Sequence, residues 1–374
     1  MPLPLNTSSD TASITQPVMP PVIPPKTLCI LRLSAIGDVT HVVPIIRTLQ
    51  NQWPTTKLTW IIGKAEATLV SDIDGVEFII FDKSEGRHAY SKLRNTLAGR
   101  RFDVLLHMQA ALRASIASLM IRAEIKIGFD KTRARDFQHW FTNASISGEP
   151  RVHVLDTFFQ FLQVLGIDER LMQWDIPVSE DDIAFAQKTL DGKPTLVINP
   201  CTSVRANNWR NWRPERYARV IDYAAETYGL NTVLTGGPAT EEREFGETII
   251  AQTTTPVNNM IGRSSLKQLQ AILGTAHVVI APDTGPAHMA AATGVPVIGL
   301  YASSNPQRTG PYSSLKWTVD KYPQALQQFN QLDVEDAAWG KRVRAAEVME
   351  LIEVDDVTMM LDKVMQTRPI SEWQ

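Results

Sequence analysis

Gly37 and Asp38 lie in a loop, LSAIGDVTHVVP, that joins an apolar, strand-like run to a predicted helix. Ligands of open parallel α/β sheets collect at the carboxyl ends of the strands, so a carboxylate in this loop is positioned for chemistry. The structural alternative is that Asp38 only caps a helix that begins near His41. The loop has one glycine where a dinucleotide site needs G-x-G-x-x-G, so an NAD-dependent enzyme has little support.

A second loop, APDTGPAHMAAATGVP, follows the strand-like run HVVI and opens a short alanine-rich helix. Asp283, Thr284 and Gly285 would then lie at a helix N-terminus, where free backbone N–H groups and the helix dipole favour a phosphate. Capping by Asp283 or Thr284, with Pro286 in the first turn, explains the same residues without a ligand. His288 follows within one turn, and packing explains a histidine there as well as binding does.

A third loop, NPCTSVRANNWRNWRP, follows the strand-like run TLVI and carries Arg205, Arg210 and Arg213 among tryptophans. Guanidinium groups bind a diphosphate through paired hydrogen bonds, and the hydroxyls of Thr202 and Ser203 could add donors. The alternative is a solvated basic loop. A phosphate-binding helix start and an arginine loop in the same half of the chain favour the first interpretation.

These loops need strands and helices to position them. Short β-rich runs alternate with amphipathic segments from residue 26 onward, which predicts βαβ units and an α/β fold with parallel sheets. In the first half, helices are predicted over 41–52 and 151–167. Acid-rich, proline-containing sequence then separates two similar halves, and such a pair suggests a ligand cleft between them. We expect a disordered proline-rich tail over 1–25 and two Rossmann-like domains, over 26–178 and 179–374.

Composition excludes several classes of protein. The 374 residues suit two domains, and the 44% hydrophobic and 21% charged content is typical of globular chains. The net charge of −3 argues against a general nucleic-acid binder. Two cysteines, Cys29 and Cys201, cannot build a disulfide framework or a cysteine-rich metal site. The sequence before Lys26 has no signal-peptide pattern, and no apolar run reaches the roughly 18 residues of a membrane span, so we expect a cytoplasmic protein.

The three loops in this order resemble one family. SAIGD-x-x-H-x-x-P near the start, NPC-T-S and NWRNW in the middle and DTGPAHMAAATGVPVIGLYASSNP late in the chain are similar to glycosyltransferase family 9, the ADP-heptose:lipopolysaccharide heptosyltransferases. The resemblance implies the GT-B architecture, two Rossmann-like domains facing a cleft. It also implies a lipid A–Kdo acceptor on the N-terminal domain and an ADP-sugar on the C-terminal domain. The tail has no counterpart in the family.

The resemblance assigns roles to residues. Asp38 matches the proposed general base, and Gly37 and His41 of the same motif are expected on the acceptor side. Arg210 stands where many members have a lysine that contacts the donor phosphate, and Arg213 is the alternative. The residues that match the donor-binding motif are Asp283, Thr284, Gly285 and His288.

The implied reaction is direct displacement with inversion. Asp38 would take the proton of an acceptor hydroxyl, whose oxygen attacks the anomeric carbon as ADP leaves. Arg210 and the helix start at Thr284 and Gly285 would stabilise the leaving group, so neither a metal nor another cofactor is expected. By analogy with other members of this architecture, the last helix could pack back on the N-terminal domain.

The N-terminal half is locally basic. Residues 83–151 contain 13 Lys and Arg against six Asp and Glu. Arg113, Arg133 and Arg135 are candidates to contact a phosphate or the Kdo carboxylate, although each could equally belong to a solvated surface. The same excess favours a peripheral contact with the anionic inner face of the cytoplasmic membrane, at about 1 kcal/mol per basic residue.

Three other functions stay open at this stage. One is a GT-B enzyme, or an epimerase of that architecture, acting on another nucleotide sugar. A second is a binding protein that kept the nucleotide site and lost turnover. A dehydrogenase is the weakest alternative, because no glycine-rich dinucleotide loop follows a predicted strand.

Overall fold

Strands alternate with helices throughout residues 23–202 and 208–370, the part of the chain that this computed structural model describes. The predicted tail, apart from its last three residues, and Ser203 lie outside the described residues. The strands form two separate sheets of six parallel strands, one in each half of the chain. The α/β fold with two parallel sheets is therefore confirmed.

The first sheet has the strand order β3-β2-β1-β4-β5-β6. Its central strand is buried on both faces, as expected for a run of aliphatic residues in a parallel sheet. The strands are β1 (Thr27–Leu31), β2 (Lys57–Gly63), β3 (Val76–Phe81), β4 (Phe102–His107), β5 (Ala123–Gly128) and β6 (Ala144–Ser145). The helices are α1 (Ile36–Gln52), α2 (Lys64–Val70), α3 (Arg87–Thr96), α4 (Leu112–Ser118) and α5 (Val154–Gln163).

The second sheet repeats this topology, with the order β12-β11-β10-β7-β8-β9. Its strands are β7 (Thr195–Ile198), β8 (Asn231–Leu234), β9 (Val257–Asn259), β10 (Val278–Pro282), β11 (Val297–Tyr301) and β12 (Val319–Asp320). Its helices are α6 (Glu180–Leu190), α7 (Pro214–Tyr228), α8 (Thr240–Ile250), α9 (Leu266–Thr275), α10 (Gly285–Ala292), α11 (Pro306–Thr309), α12 (Tyr322–Asn330) and α13 (Val354–Thr367). Proline at the start of α7 and the left-handed Gly229 after its end mark that helix in the sequence.

Each sheet reverses its strand order at one point, between β1 and β4 in the first and between β7 and β10 in the second. The connections leaving the strands at such a point diverge to opposite faces and open a crevice for a ligand. All three sequence loops begin here. Gly37 and Asp38 follow β1, the arginine loop follows β7, and Asp283 follows β10.

Two helix boundaries differ from the expectation. The helix α1 begins at Ile36 and not near His41, because the Asp38 carboxylate lies in its first turn and accepts the Ala35 N–H. The helix predicted over 151–167 is shorter. It starts where Nδ1 of His153 accepts the Leu155 N–H at 3.0 Å, and it ends before the left-handed Gly166.

The last helix, α13, does not pack back on the first half. Its buried residues, Val357, Leu361 and Val364 among them, belong to the apolar cluster of the second half, where α13 lies against α7. The Trp212 indole, which donates to the carbonyl of Ile352 at 2.9 Å, fixes the approach to this helix. Within the described residues, no helix combines the length and the apolar character needed to cross a membrane.

One buried apolar cluster continues from the first half into the second. Val42 and Ile45 of α1 share it with Leu273 of α9 and Ala287 of α10. The helices α1 and α10 pack directly on each other, and α2 of the first half packs on α9 of the second. The two sheets are thus joined by a common core beside the cleft.

Candidate active site

A cavity of about 1090 Å³ lies between the two halves, at the points where the strand orders reverse. The first turns of α1 and α10 line it, together with a segment, 337–342, that follows α12. Its walls are strongly basic, with three carboxylates from Asp38, Glu242 and Asp283. The arginines that line it are Arg32, Arg133, Arg135, Arg151, Arg210, Arg308 and Arg342.

Asp38 lies in the first turn of α1, with its side chain about one-third exposed. Its Oδ2 forms an ion pair with Nη2 of Arg32 and accepts the backbone N–H of Ala35 at 3.4 Å. Within the described part of the chain, no donor is bonded to Oδ1. The capping contact and the position in the cavity are therefore compatible, because the capping contact uses Oδ2 alone and the residue also lines the cavity.

Arg32 holds Asp38 from the end of β1. Its guanidinium is nearly buried, stacks 5.2 Å from the centre of the Phe158 ring and donates to the carbonyl of Met108. These contacts leave the guanidinium little freedom to turn away from the carboxylate. Arg32 lies within the apolar, strand-like run LCILRL, and the sequence alone therefore did not single it out.

The start of α10 carries no acidic side chain of its own. Because Pro286 has no N–H and the Ala287 N–H donates to the Thr284 carbonyl at 3.2 Å, the N–H groups that could serve a ligand there are those of Thr284 and Gly285. Asp283 precedes it and is almost fully buried. Nη1 of Arg210 donates to the Asp283 carbonyl at 2.6 Å and lies 3.4 Å from its Oδ2, and Nη2 of Arg342 lies 3.6 Å from the same oxygen. Two guanidinium groups are thereby fixed beside a helix N-terminus, an arrangement that suits a bound phosphate.

The starts of α1 and α10 meet closely because both carry glycine. A Cβ on Gly37 would overlap Cδ2 of His288, and a Cβ on Gly285 would lie 3.1 Å from Cβ of Ile36. A larger residue at Gly37 would push the two helices apart. The carboxylate on α1 and the free N–H groups of α10 therefore face the same part of the cavity.

Three buried histidines pack below this contact. The rings of His41 and His288 are 4.9 Å apart, and those of His41 and His153 are 5.4 Å apart, both edge to face. Burial is the main cause that lowers the pKa of each, to about 4 for His153 and well below the usual range for His41. The three rings are therefore neutral at pH 7 and act as packing groups between the halves.

Arg133, Arg135 and Arg308 form a further basic group on the cavity wall. Arg133 is held by the Asp130 carboxylate and by Gln160, whereas Arg135 is exposed. Arg135 and Arg308 both approach Gly340, whose missing side chain leaves room for them. Burial lowers the pKa of Arg308, and the nearby Asp38 and Asp283 carboxylates oppose that effect.

Several predicted site residues reach the cavity wall, and several do not. Gly37, Asp38, Arg133, Arg135, Arg210, Asp283, Thr284, Gly285 and His288 line it. His41 does not, because the earlier start of α1 places it more than one turn down the helix, buried among the histidines. Arg113 is exposed on α4 and is not part of the wall.

Contacts elsewhere in the molecule decide which arginine of the third loop faces the cavity. Arg213 points away from the cavity to an ion pair with Glu350, so the register favours Arg210. Thr202 is buried, and both its N–H and its hydroxyl bond to Oδ1 of Asn211, which makes it a loop-stabilising residue and removes it from the predicted donor contacts. Ser203 lies outside the described residues.

Arg308 and Arg342 were missed by sequence reasoning. Both lie in the C-terminal third, outside any loop that follows a strand at a switch point. Arg308 reaches the cavity from α11, and Arg342 reaches it because the segment after α12 returns to the sheet, where the Val343 N–H donates to the Ser303 carbonyl at 2.9 Å. Within residues 23–202 and 208–370, no group of three or more His, Cys, Asp or Glu is arranged to hold a metal ion.

Comparisons with known proteins now identify the family. The family described as Glycosyltransferase family 9 (heptosyltransferase) matches residues 90–338. The chain is also 38% identical over 341 residues to the lipopolysaccharide core heptosyltransferase OpsX of Haemophilus influenzae, a match that covers 91% of this chain and 97% of the relative. The chain belongs to glycosyltransferase family 9. The predicted resemblance and the prediction of a glycosyltransferase are both confirmed.

Solved structures agree with this family 9 assignment at the level of the fold. The family 9 glycosyltransferase of Veillonella parvula is similar with a TM-score of 0.73 and 21% identity, over 91% of this chain and 97% of that one. The Escherichia coli heptosyltransferase WaaC, solved with ADP, gives 0.65 and 19%, over 90% and 99%. The GT-B architecture expected from the sequence is thus confirmed.

Proposed function

We propose that this family 9 glycosyltransferase moves a heptose from ADP-heptose to a Kdo or heptose residue of the lipopolysaccharide inner core, with inversion and without a metal or other cofactor. The observation that carries the proposal is the meeting of two helix starts in one arginine-rich cavity, one with a carboxylate and one with free N–H groups. The similarity to a lipopolysaccharide core heptosyltransferase supports the choice of sugar and acceptor.

The donor would bind to the second half, over 179–374. The free N–H groups at Thr284 and Gly285 and the guanidinium of Arg210 would take the diphosphate, because both provide donors for phosphate oxygens. Asp283 would orient sugar hydroxyls, with Arg210 and Arg342 holding its carboxylate in place. His288 supports this donor site from below by packing against Gly37.

The acceptor would bind to the first half, over 26–178. Its anionic groups, the Kdo carboxylate first among them, would meet Arg133 and Arg135 of that half. Arg308 would join them from α11 of the second half, because it approaches Gly340 as Arg135 does. The positive charge there exceeds what the local carboxylates neutralise, since Asp130 engages Arg133 alone. An acidic sugar would therefore bind with favourable electrostatics and in a defined orientation.

In the reaction, Asp38 would take the proton of the acceptor hydroxyl through Oδ1 while Arg32 holds Oδ2. The hydroxyl oxygen forms the new bond to the anomeric carbon on the face opposite to the diphosphate, and the bond to the ADP oxygen breaks. ADP leaves with the electron pair. Arg210 and the α10 N–H groups would stabilise that charge as it develops, which is the term that usually contributes most to such a step.

We also propose that the enzyme works in the cytoplasm, at the inner face of the cytoplasmic membrane. Its two cysteines, Cys29 and Cys201, are buried and unpaired, as suits a reducing compartment. A lipid-linked acceptor would be available at that face.

The deciding experiment is a transfer assay with ADP-heptose and a Kdo-bearing acceptor, followed by ADP release and by the mass of the product. Transfer that persists in EDTA, together with thermal stabilisation by ADP that Arg210→Ala weakens, supports the proposal. A product of retained anomeric configuration, activity restored only by a divalent metal, or a preference for a UDP-sugar would contradict it.

A further inference from the structure

A group of large apolar side chains is exposed beside the acceptor half of the cavity. We call it the apolar rim; it consists of Leu112, Ile116, Leu119, Phe137 and Trp140. Their exposed fractions are 50%, 36%, 59%, 58% and 72%. Single exposed apolar residues are ordinary, but five of them on one helix face and on the loop that is hydrogen-bonded to its start mark a surface that contacts something apolar.

The helix α4 exposes its large apolar residues and buries its small ones. Leu112 and Ile116, one turn apart on the same face, point to solvent, and Leu119 continues this face beyond the helix. The face that packs on the domain carries only small residues, which are Ala114, Ser115, Ala117 and Ser118. A helix normally buries its leucine and isoleucine face, so this orientation leaves the larger apolar area for an external partner.

The aromatic part of the rim is held next to α4. Phe137 and Trp140 stack with their ring centres 4.7 Å apart. The Leu112 N–H donates to Oδ2 of Asp136 at 3.0 Å, which ties this loop to the start of α4. Phe137 adopts a left-handed backbone with φ of 60°, a conformation unfavourable for a bulky residue, and its ring nevertheless remains in solvent.

Basic residues surround the rim. Residues 112–140 contain six Lys and Arg against three Asp and Glu. Of the three acids, Asp130 is engaged by Arg133 and Glu124 is paired with Arg101, which lies outside this stretch. Arg113, Arg122, Lys131 and Arg135 are exposed. An apolar surface bordered by positive charge matches a bilayer whose headgroups are anionic.

The rim is also continuous with the cavity. Ala111 and Arg135 line the cavity wall, whereas Leu112 and Phe137, one and two residues further along the chain, are exposed in the rim. A molecule anchored in a bilayer under the rim could therefore extend its polar head directly into the cavity.

We propose that the apolar rim inserts into the surface of an anionic bilayer and presents the acceptor half of the cavity to a lipid-anchored substrate. Phe137, Trp140 and the outer face of α4 enter the interfacial region, and Arg122 and Lys131 meet the headgroups. The role in substrate delivery rests on the proposed function, whereas the binding of the bilayer does not.

The test is co-sedimentation of the full chain with vesicles of phosphatidylethanolamine and phosphatidylglycerol, compared with phosphatidylcholine alone. We expect binding only to the anionic vesicles. The pair Phe137→Asn and Trp140→Ser should weaken it at least about tenfold, since both remove apolar area; asparagine tolerates the left-handed backbone at 137. Lys131→Gln should weaken it about fivefold. Met359→Ser, an exposed apolar residue on α13, is the matched control and should bind as the wild type does.

Transfer to a water-soluble Kdo acceptor separates this proposal from the proposed function. The rim proposal is supported if rim variants lose vesicle binding and lose transfer to the vesicle-borne acceptor. The same variants should keep wild-type transfer to the soluble acceptor. A wild-type chain that binds anionic vesicles but transfers to neither acceptor contradicts the proposed function alone. The rim proposal is overturned if rim variants bind vesicles as well as the wild type does, or if they instead abolish a dimer seen by sedimentation equilibrium.

Discussion

The starts of α1 and α10 are built alike and charged differently. Both follow a strand at a switch point, both contain a glycine where the helices touch, and both open into the same cavity. In α1 the first turn contains its own carboxylate, Asp38, which an arginine holds. The first turn of α10 contains no acid, and its neighbouring Asp283 is engaged by two arginines.

The difference shows how two halves of the same topology can be suited to different tasks. A helix start favours one negative charge, and here the first half supplies that charge from its own chain whereas the second half leaves it to a ligand. The first is therefore suited to take a proton, and the second to bind an anion. The predictions below test whether this division holds.

The largest effect is expected at Asp38. Asp38→Asn keeps the shape of the side chain and the contact with Arg32 but removes the base, so turnover should fall about 10³-fold. Thermal stabilisation by ADP should be unchanged, because the proposed donor site lies at α10. Initial rates and ADP melting curves on the same preparations check this. An Asn variant with normal turnover would remove Asp38 from the mechanism.

A smaller loss is expected at Arg210. Arg210→Ala should lower kcat about 10²-fold, since one donor to the leaving diphosphate is lost, and it should weaken ADP binding as well. Arg213→Ala is the matched control, because Arg213 lies three residues away but pairs with Glu350 outside the cavity. Equal losses in the two variants would show that the loop register is wrong.

The packing between the two helices predicts a pH dependence of stability. His153 is buried and neutral, with its pKa lowered from 6.5 to about 4, so the unfolded chain binds a proton first as the pH falls. The free energy of unfolding should then decrease between about pH 6.5 and pH 4, by up to about 3 kcal/mol from this residue. His41 and His288 add to the loss in the same direction.

The check is urea unfolding across this pH range. His153→Asn keeps an acceptor for the Leu155 N–H and removes the titrating ring, so its stability should change less steeply with pH. His88→Asn, on the exposed face of α3, serves as the control. A wild-type stability that stays constant from pH 6.5 to pH 4 is incompatible with neutral buried rings.

The smallest effects are expected on stability, at Gly37 and Gly285, where α1 and α10 touch. Gly37→Ala should destabilise the protein by about 2 kcal/mol, because its Cβ would overlap the His288 ring and neither helix can move freely. Gly285→Ala should cost less than about 1 kcal/mol, since its nearest neighbour is 3.1 Å away and belongs to a side chain. Thermal melts of the two variants compare them directly, and equal losses would show that the contact is less tight than described.

The sequence predicted the parts of this site that follow strands. Asp38, Arg210 and Asp283 each come after an aliphatic run, and runs of that kind form buried parallel strands whose carboxyl ends gather ligands. Arg308 and Arg342 could not be predicted in this way, because long-range contacts bring their segments back to the cleft. His41 was expected on the acceptor side because it belongs to the same motif as Asp38, whereas the helix that begins at Ile36 buries its ring away from the cavity wall.

The apolar cluster shared by the two halves has a consequence for how the chain folds. Neither half can bury its part of the cluster alone, since α1 packs on α10 and α2 packs on α9. During synthesis the first half must therefore wait, with Val42 and Ile45 uncovered, until the second half has emerged. The two sheets should melt together in a single calorimetric transition, and either half expressed alone should aggregate through the surface it was built to share.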